Sequence, residues 1–143
     1  MKTSARNQFA GTVTAVEFGP VTTQTTVTLK GGQEIVATMT SNAAQRLDVK
    51  VGVEAIVLIK SSAVVLITDF AGYSLSARNQ LAGTISRIDK GAVSSLVVVT
   101  MPGGSAITAS VTNEGVQALG LAVGSPATAV FKAYSVMVAV YKG

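Results

Sequence analysis

The sequence predicts an all-β chain folded as two tandem five-stranded barrels, each with one short helix between its third and fourth strands. Three observations carry that expectation. The first is an internal repeat. Ser4-Ala5-Arg6-Asn7-Gln8-Phe9-Ala10-Gly11-Thr12-Val13 recurs 72 residues later as Ser76-Ala77-Arg78-Asn79-Gln80-Leu81-Ala82-Gly83-Thr84-Ile85, and the same offset holds through the rest of both halves without a gap. Gly31-Gly32 aligns with Gly103-Gly104, Thr40 with Thr112, Leu47 with Leu119, Val51-Gly52 with Val123-Gly124, and Lys60 with Lys132. The second is a period-two alternation of apolar with small or polar residues, the pattern of half-buried strands. The third is composition: 143 residues, 48% apolar, no cysteine. Such a chain can bury one ordinary core or two small ones, and must do so without disulfides. The duplication divides it into residues 1–71 and 72–143, joined near Phe70-Ala71-Gly72-Tyr73.

In the first unit, residues 9–17 place Phe9, Gly11, Val13 and Ala15 on one side of a strand. Thr23 to Leu29 is rich in Thr and Val, with Val27 and Leu29 in phase. Gly31-Gly32 forms a hairpin turn, and Ile35, Ala37 and Met39 carry the alternation back over residues 33–40. Ser41-Asn42 reads as a helix N-cap before Ala43-Ala44-Gln45-Arg46-Leu47. Val51-Gly52 ends that piece, and Val53 to Ile59 and Ala63 to Thr68 supply two more strands. The second unit repeats the order, with Thr112-Asn113 at the cap and Gly124-Ser125-Pro126 as the turn. Three strands, a helix and two strands is the order of a five-stranded OB-type barrel. A unit of this size has a thin core, so two fused copies, or an oligomer, supply what one lacks.

Composition also removes most chemistry. There is no His and no Cys, so the commonest general base, the commonest metal ligand and the thiolate nucleophile are all missing. Of the seven carboxylates, only Glu17 aligns with another acid, Asp89, and in a plain strand-to-turn context. No nucleophile–base pair, phosphate loop or metal-ligand cluster is present, and catalysis is not expected. Met1 to Asn7 is followed by no apolar export segment. The most apolar stretch, Val53 to Ile67, is broken by Lys60, Ser61 and Ser62, well short of the ~20 residues of a membrane span. A cytoplasmic protein without membrane contact is expected.

The polar identities between the halves point to a ligand. Ser4/Ser76, Arg6/Arg78, Asn7/Asn79, Gln8/Gln80, Thr40/Thr112 and Lys60/Lys132 have no explanation in an apolar core. No Asp or Glu stands among them. Arg and Lys only donate, and Ser and Thr hydroxyls can donate. Such a set holds no cation, which needs lone pairs, but suits an anion that only accepts. One Arg and one Lys match a tetrahedral dianion, the Arg as a planar fork and the Lys as a point charge. A donor-only site also disfavours hydrogen phosphate, whose O–H finds no acceptor, whereas a fully deprotonated oxyanion meets no such penalty. Each group also has a plainer reading: a solvated arginine at a strand start, a threonine that caps a helix, a lysine that guards a strand edge.

The two Ser-Ala-Arg-Asn-Gln openings, each followed by Gly-Thr and a β-branched residue, resemble the opening of the Mop domain, and Gly91-Ala92-Val93 and the Lys before a Val-rich last strand fit as well. Two copies in tandem resemble the di-Mop molbindins over essentially the whole chain. The resemblance implies OB-type barrels, a homotrimer, and molybdate or tungstate bound at interfaces between barrels for intracellular molybdenum storage, with no further cofactor. Carried over, the first class of site is Ser4, Arg6, Thr40, Lys60 and Ser61, then Ser76, Arg78, Thr112, Lys132 and Ala133. Ser61 offers a hydroxyl where Ala133 has only its backbone N–H. A second class of site would use Gly19, Val21 and Thr22, and Gly91, Ala92, Val93 and Ser94. There the family's Asn is replaced by Thr22 or Ser94, and Pro20 has no N–H to give.

Two other readings compete. OB barrels often bind single-stranded nucleic acid, and the chain carries a net charge of +4. That binding relies on aromatic platforms, yet aromatics are 5% of the residues, and Phe9 becomes Leu81 in the second copy. A molybdate sensor acting through a partner protein would use the same donors as a storage protein.

Overall fold

The computed structural model describes all residues, 1–143. It is all-β, with two five-stranded sheets and two short helices. The first repeat forms β1 (Asn7–Phe18), β2 (Thr22–Leu29), β3 (Glu34–Thr40), α1 (Ser41–Arg46), β4 (Glu54–Ile59) and β5 (Val65–Ile67), with a 3₁₀ turn over Ser61–Ala63. The second forms β6 (Asn79–Lys90), β7 (Ser94–Thr100), β8 (Ala106–Thr112), α2 (Asn113–Leu119), β9 (Pro126–Phe131) and β10 (Met137–Ala139), with a 3₁₀ turn over Ala133–Ser135. The strand order is β10-β4-β1-β2-β3 in one sheet and β5-β9-β6-β7-β8 in the other. In each, the short strand also meets the far edge, β10 against β3 and β5 against β8, which closes an OB-type barrel.

The structure differs from the expected division at residue 71. One compact unit is Met1–Ile59 with Lys132–Gly143; the other is Lys60–Phe131. Each repeat builds four strands of one barrel and gives its last strand to the other. Met137 pairs with Leu58, and Val65 pairs with Val130. These are the same register one repeat apart. Because β5 and β10 hold equivalent places in the two repeats, alternation alone specifies the face each strand shows, not which copy it completes.

The alternation predicted for the first strand holds only to Val13. A β-bulge between Val13 and Ala15 shifts the phase, so Val13 is buried and Ala15 is exposed. The second unit has the same bulge between Ile85 and Arg87. The bulge residues are tied across the ladder by hydroxyls, Thr14 to Thr28 at 2.9 Å and Thr100 to Ser86 at 2.8 Å. Just before it, a Cβ on Gly11 would lie 2.6 Å from the Thr28 carbonyl oxygen, and one on Gly83 would strike that of Thr100. The strands approach too closely there for any side chain, which fixes glycine in both copies.

Each unit's core comes from the inward residues: Val13, Val27, Ile35, Val57 and Ile59 in one, Ile85, Val97, Val99, Ile107 and Phe131 in the other. One core position is polar in the first repeat and apolar in the second. Thr25 is fully buried and its Oγ1 has no hydrogen-bond partner, whereas its counterpart Val97 is apolar and equally buried. Thr25→Val is therefore expected to stabilise the fold by about 1 kcal/mol, raising the melting temperature by roughly 2–4 °C. A thermal melt followed by circular dichroism checks this, and an unchanged or lower midpoint contradicts it.

Candidate functional site

Each repeat enters its first strand through a polar segment. The Ala5 N–H donates to Thr3 Oγ1 at 3.1 Å, and Gln80 Nε2 donates to the Ala77 carbonyl at 2.9 Å. Ser4, Arg6, Ser76 and Arg78 are exposed. Asn7 and Asn79 are not: they are 2% and 1% exposed. Their persistence in both copies has a packing cause, contrary to the expectation that no core role explains them. The signal was in the sequence, because Asn7 shares the inward phase of Phe9, Gly11 and Val13.

Register locates the other candidates. In the first unit Leu58 pairs with both Gln8 and Met137, so β10, β4 and β1 run side by side. The Ala133–Ser135 turn precedes Met137, and so stands at the end of this ladder where Ser4 and Arg6 enter β1. It packs against β3. In the second unit Val130 pairs with both Gln80 and Val65. The Ser61–Ala63 turn therefore stands at the end where Ser76 and Arg78 enter β6, and it packs against β8. Lys60 and Lys132 are the first residues after the chain passes from one unit to the other.

Thr40 and Thr112 lie elsewhere. Thr40 pairs with Thr22, and Thr23 pairs with Phe18, so Thr40 is at the far end of β1 from Asn7. Thr112 pairs with Ser94, and Ser95 with Lys90, the same place in the second unit. Within a unit the predicted first-class residues thus form two groups at opposite ends of the long strand. The threonines adjoin the Gly19–Thr22 and Gly91–Ser94 turns, the segments predicted for the second class.

These turns are rigidly held. The Gly19 N–H donates to the Thr22 carbonyl and the Gly91 N–H to that of Ser94, both at 3.0 Å. A Cβ on either glycine would lie 2.5 Å from that same carbonyl oxygen. Ser41 donates to the Gly19 carbonyl at 2.7 Å, which leaves Thr23 as the donor in its 2.8 Å bond to Ser41 Oγ. In the second unit Asn113 Nδ2 donates to the Gly91 carbonyl at 2.9 Å, and Ser95 donates to Asn113 Oδ1 at 2.6 Å.

This network corrects the predicted cap of the first unit, while the second unit's cap lies at Thr112 as expected. Ser41 is buried and its hydroxyl is committed to Gly19, so it cannot cap α1. Thr40 is the N-cap and accepts from the Ala43 N–H at 3.1 Å; Thr112 does the same for Gly115 at 3.1 Å. Each cap uses a lone pair of the hydroxyl and leaves its proton free to donate outward. The plain structural role and a ligand role are compatible in one side chain.

The local electrostatics are one-sided. The ion pairs are Lys50 with Asp48 at 3.5 Å and Arg87 with Asp89 at 2.8 Å, both on exposed surface. Arg6, Lys60 and Lys132 have no acidic partner. No group of three His, Cys, Asp or Glu residues is placed to hold a metal ion. No helix is long and apolar enough to cross a membrane. What the arrangement offers is positive charge, hydroxyl protons and backbone N–H groups, the means of holding an oxyanion.

Comparison with known proteins bears on this geometry. The TOBE domain family matches residues 3–66 and 75–138. The chain is 70% identical over 140 residues to the molybdenum transport protein ModE of Herbaspirillum seropedicae, covering 98% of this chain and 52% of the relative. It is 37% identical over 139 residues to the molybdenum-pterin-binding protein MopA of Rhodobacter capsulatus, covering 97% of this chain and 52% of the relative. The chain thus spans about half the length of these relatives. A crystal structure of the cytoplasmic molybdate-binding protein ModG with molybdate bound superposes with a TM-score of 0.95 at 43% identity, covering 99% of this chain and 100% of that one.

Proposed function

Because the chain belongs to the TOBE domain family, with two Mop-type copies in tandem, we propose that it binds molybdate and tungstate in the cytoplasm and serves molybdenum storage and homeostasis. The observation that carries this is the donor set: exposed Arg, Lys, Ser and Thr repeated in both copies, with no carboxylate beside Arg6, Lys60 or Lys132. Its role is binding rather than catalysis. Ser4, Arg6, Thr40, Lys60 and Ser61, with Ser76, Arg78, Thr112, Lys132 and Ala133, supply the first-class donors. The Gly19–Thr22 and Gly91–Ser94 turns supply the second.

The separation of Arg6 from Thr40 within a unit supports completion of sites by neighbouring copies in a homotrimer. So do the apolar side chains left in water at equivalent places, Val21 and Val93 at 75% exposure each. Sedimentation at low micromolar concentration should show trimers; a monomer with full affinity would remove the interface sites. A second reading, a sensor acting through a partner, is favoured by the match to half of a ModE-type protein. It uses the same donors.

Titration calorimetry at neutral pH with molybdate, tungstate, sulfate and hydrogen phosphate tests the ligand. Molybdate and tungstate should bind tightly, and hydrogen phosphate weakest. Equal affinity for sulfate would retract molybdate in favour of a general oxyanion. Thr40→Asp separates the two roles of that residue. Asp caps a helix at least as well as Thr, so the melting temperature should hold. Its negative charge beside a dianion should weaken binding by at least about tenfold. Unchanged affinity would leave Thr40 as a cap alone.

A further inference from the structure

A groove opens on the first unit where its ladder runs short. β1 pairs with β4 as far as Thr12 opposite Glu54, but β10 leaves β4 at Ala139 opposite Ile56. Residues 140–143 lie outside any strand. They and the sheet line a cavity of about 790 Å³, whose lining belongs wholly to this one unit. The sheet contributes small and apolar residues, Ala10, Gly11, Ala55 and Ile56. The segment after β10 contributes Val140 and Tyr141, and Tyr141 is 91% exposed. Lys30, Glu54 and Lys142 line the groove as well, and none of the three is in an ion pair. Ser4, Arg6, Thr40 and Lys60 do not line it.

We propose that this groove binds an amphiphilic organic anion, an apolar body carrying one acidic group, at a site separate from the oxyanion donors. Its size and its mainly apolar lining with a few polar groups are those of small-molecule sites. Covering the exposed Tyr141 ring and the half-buried Ile56 and Val140 supplies the attraction. The side-chain charges set the sign, two lysines against one glutamate. The charged lip belongs to one copy only. Ala82-Gly83-Thr84 repeats Ala10-Gly11-Thr12, but Pro102, Pro126 and Phe70 stand where the first unit has Lys30, Glu54 and Lys142. One site per chain follows, whereas the oxyanion donors come in pairs. The proposal does not depend on the oxyanion reading.

Fluorescence titration of the full chain with anilinonaphthalene sulfonate, with and without excess molybdate, tests this. The dye should saturate at one equivalent per chain and hold its affinity when molybdate is present. Ala10→Trp fills the groove and should abolish binding; Ala82→Trp, the same change in the other repeat, should leave it intact. Lys30→Glu combined with Lys142→Glu alters only exposed side chains and should weaken binding by about tenfold or more. Uncharged phenylnaphthylamine should bind weaker than the sulfonate by a similar factor. A circular dichroism melt confirms that each variant is folded, and if Ala10→Trp is not, the charge-reversed pair decides. Displacement by molybdate, several equivalents of dye per chain, full binding by a folded Ala10→Trp or by the charge-reversed pair, or equal affinity for the uncharged compound would each overturn the proposal. Binding that weakens as the chain concentration rises would give the groove to a second copy and overturn it too.

Discussion

Replacing Arg6 and Arg78 together by alanine is expected to abolish tight molybdate binding while the chain stays folded. Both arginines are exposed at the start of a first strand, outside the buried core. Surface substitutions of that kind usually move stability by less than about 0.5 kcal/mol. The loss to binding is far larger. A guanidinium gives an oxyanion two parallel charge-assisted hydrogen bonds, each worth about 1.5–3 kcal/mol. Losing both weakens a site by roughly two to four powers of ten. Calorimetry reads the affinity, and a circular dichroism melt confirms the fold. Arg→Lys at the same positions keeps the charge but not the fork, so it should fall between wild type and alanine. Unaltered binding in the double alanine variant would show that the repeated openings do not hold the ligand.

The second large effect comes from the exchanged strands. Truncation after Phe131 is expected to unfold the first repeat's barrel, not the second. The removed segment carries β10, which pairs with Leu58, Val57 and Ile56. It also carries Val136, 4% exposed in the core of that unit. Without it β4 becomes a bare edge, and the core around Val57 and Ile59 opens. Loss of the buried apolar side chains alone costs on the order of 3–5 kcal/mol, which a thin barrel of this size cannot spare. The second unit, Lys60–Phe131, keeps all five of its strands. Hydrogen exchange should show protection lost across residues 1–59 and kept across residues 60–131. The reverse would mean that each repeat closes its own barrel.

The donor chemistry was readable because duplication within one chain makes persistence visible. Arg6 and Arg78 stand out once the halves are aligned, since nothing in an apolar core asks for them. The same logic overreached at Asn7 and Asn79, where the inward strand phase supplies a packing cause. It also placed the N-cap on Ser41, since a sequence shows that two adjacent hydroxyls can cap but not which is already engaged. The buried bond from Ser41 to the Gly19 carbonyl spans 22 residues, and only the folded chain decides it in favour of Thr40.

The residue order alone settled the duplication, the strand alternation, the hairpin turns and the supply of donors without acceptors. These are local or periodic properties, written in neighbouring side chains. Folding in three dimensions decided the bulges after Val13 and Ile85, the split of the candidate residues between opposite ends of each unit, and the ownership of β5 and β10. That last point has a simple physical cause. Two short apolar strands at equivalent places in the repeat fit the same register, Met137 on Leu58 and Val65 on Val130, so the alternation within each strand does not say which unit it completes.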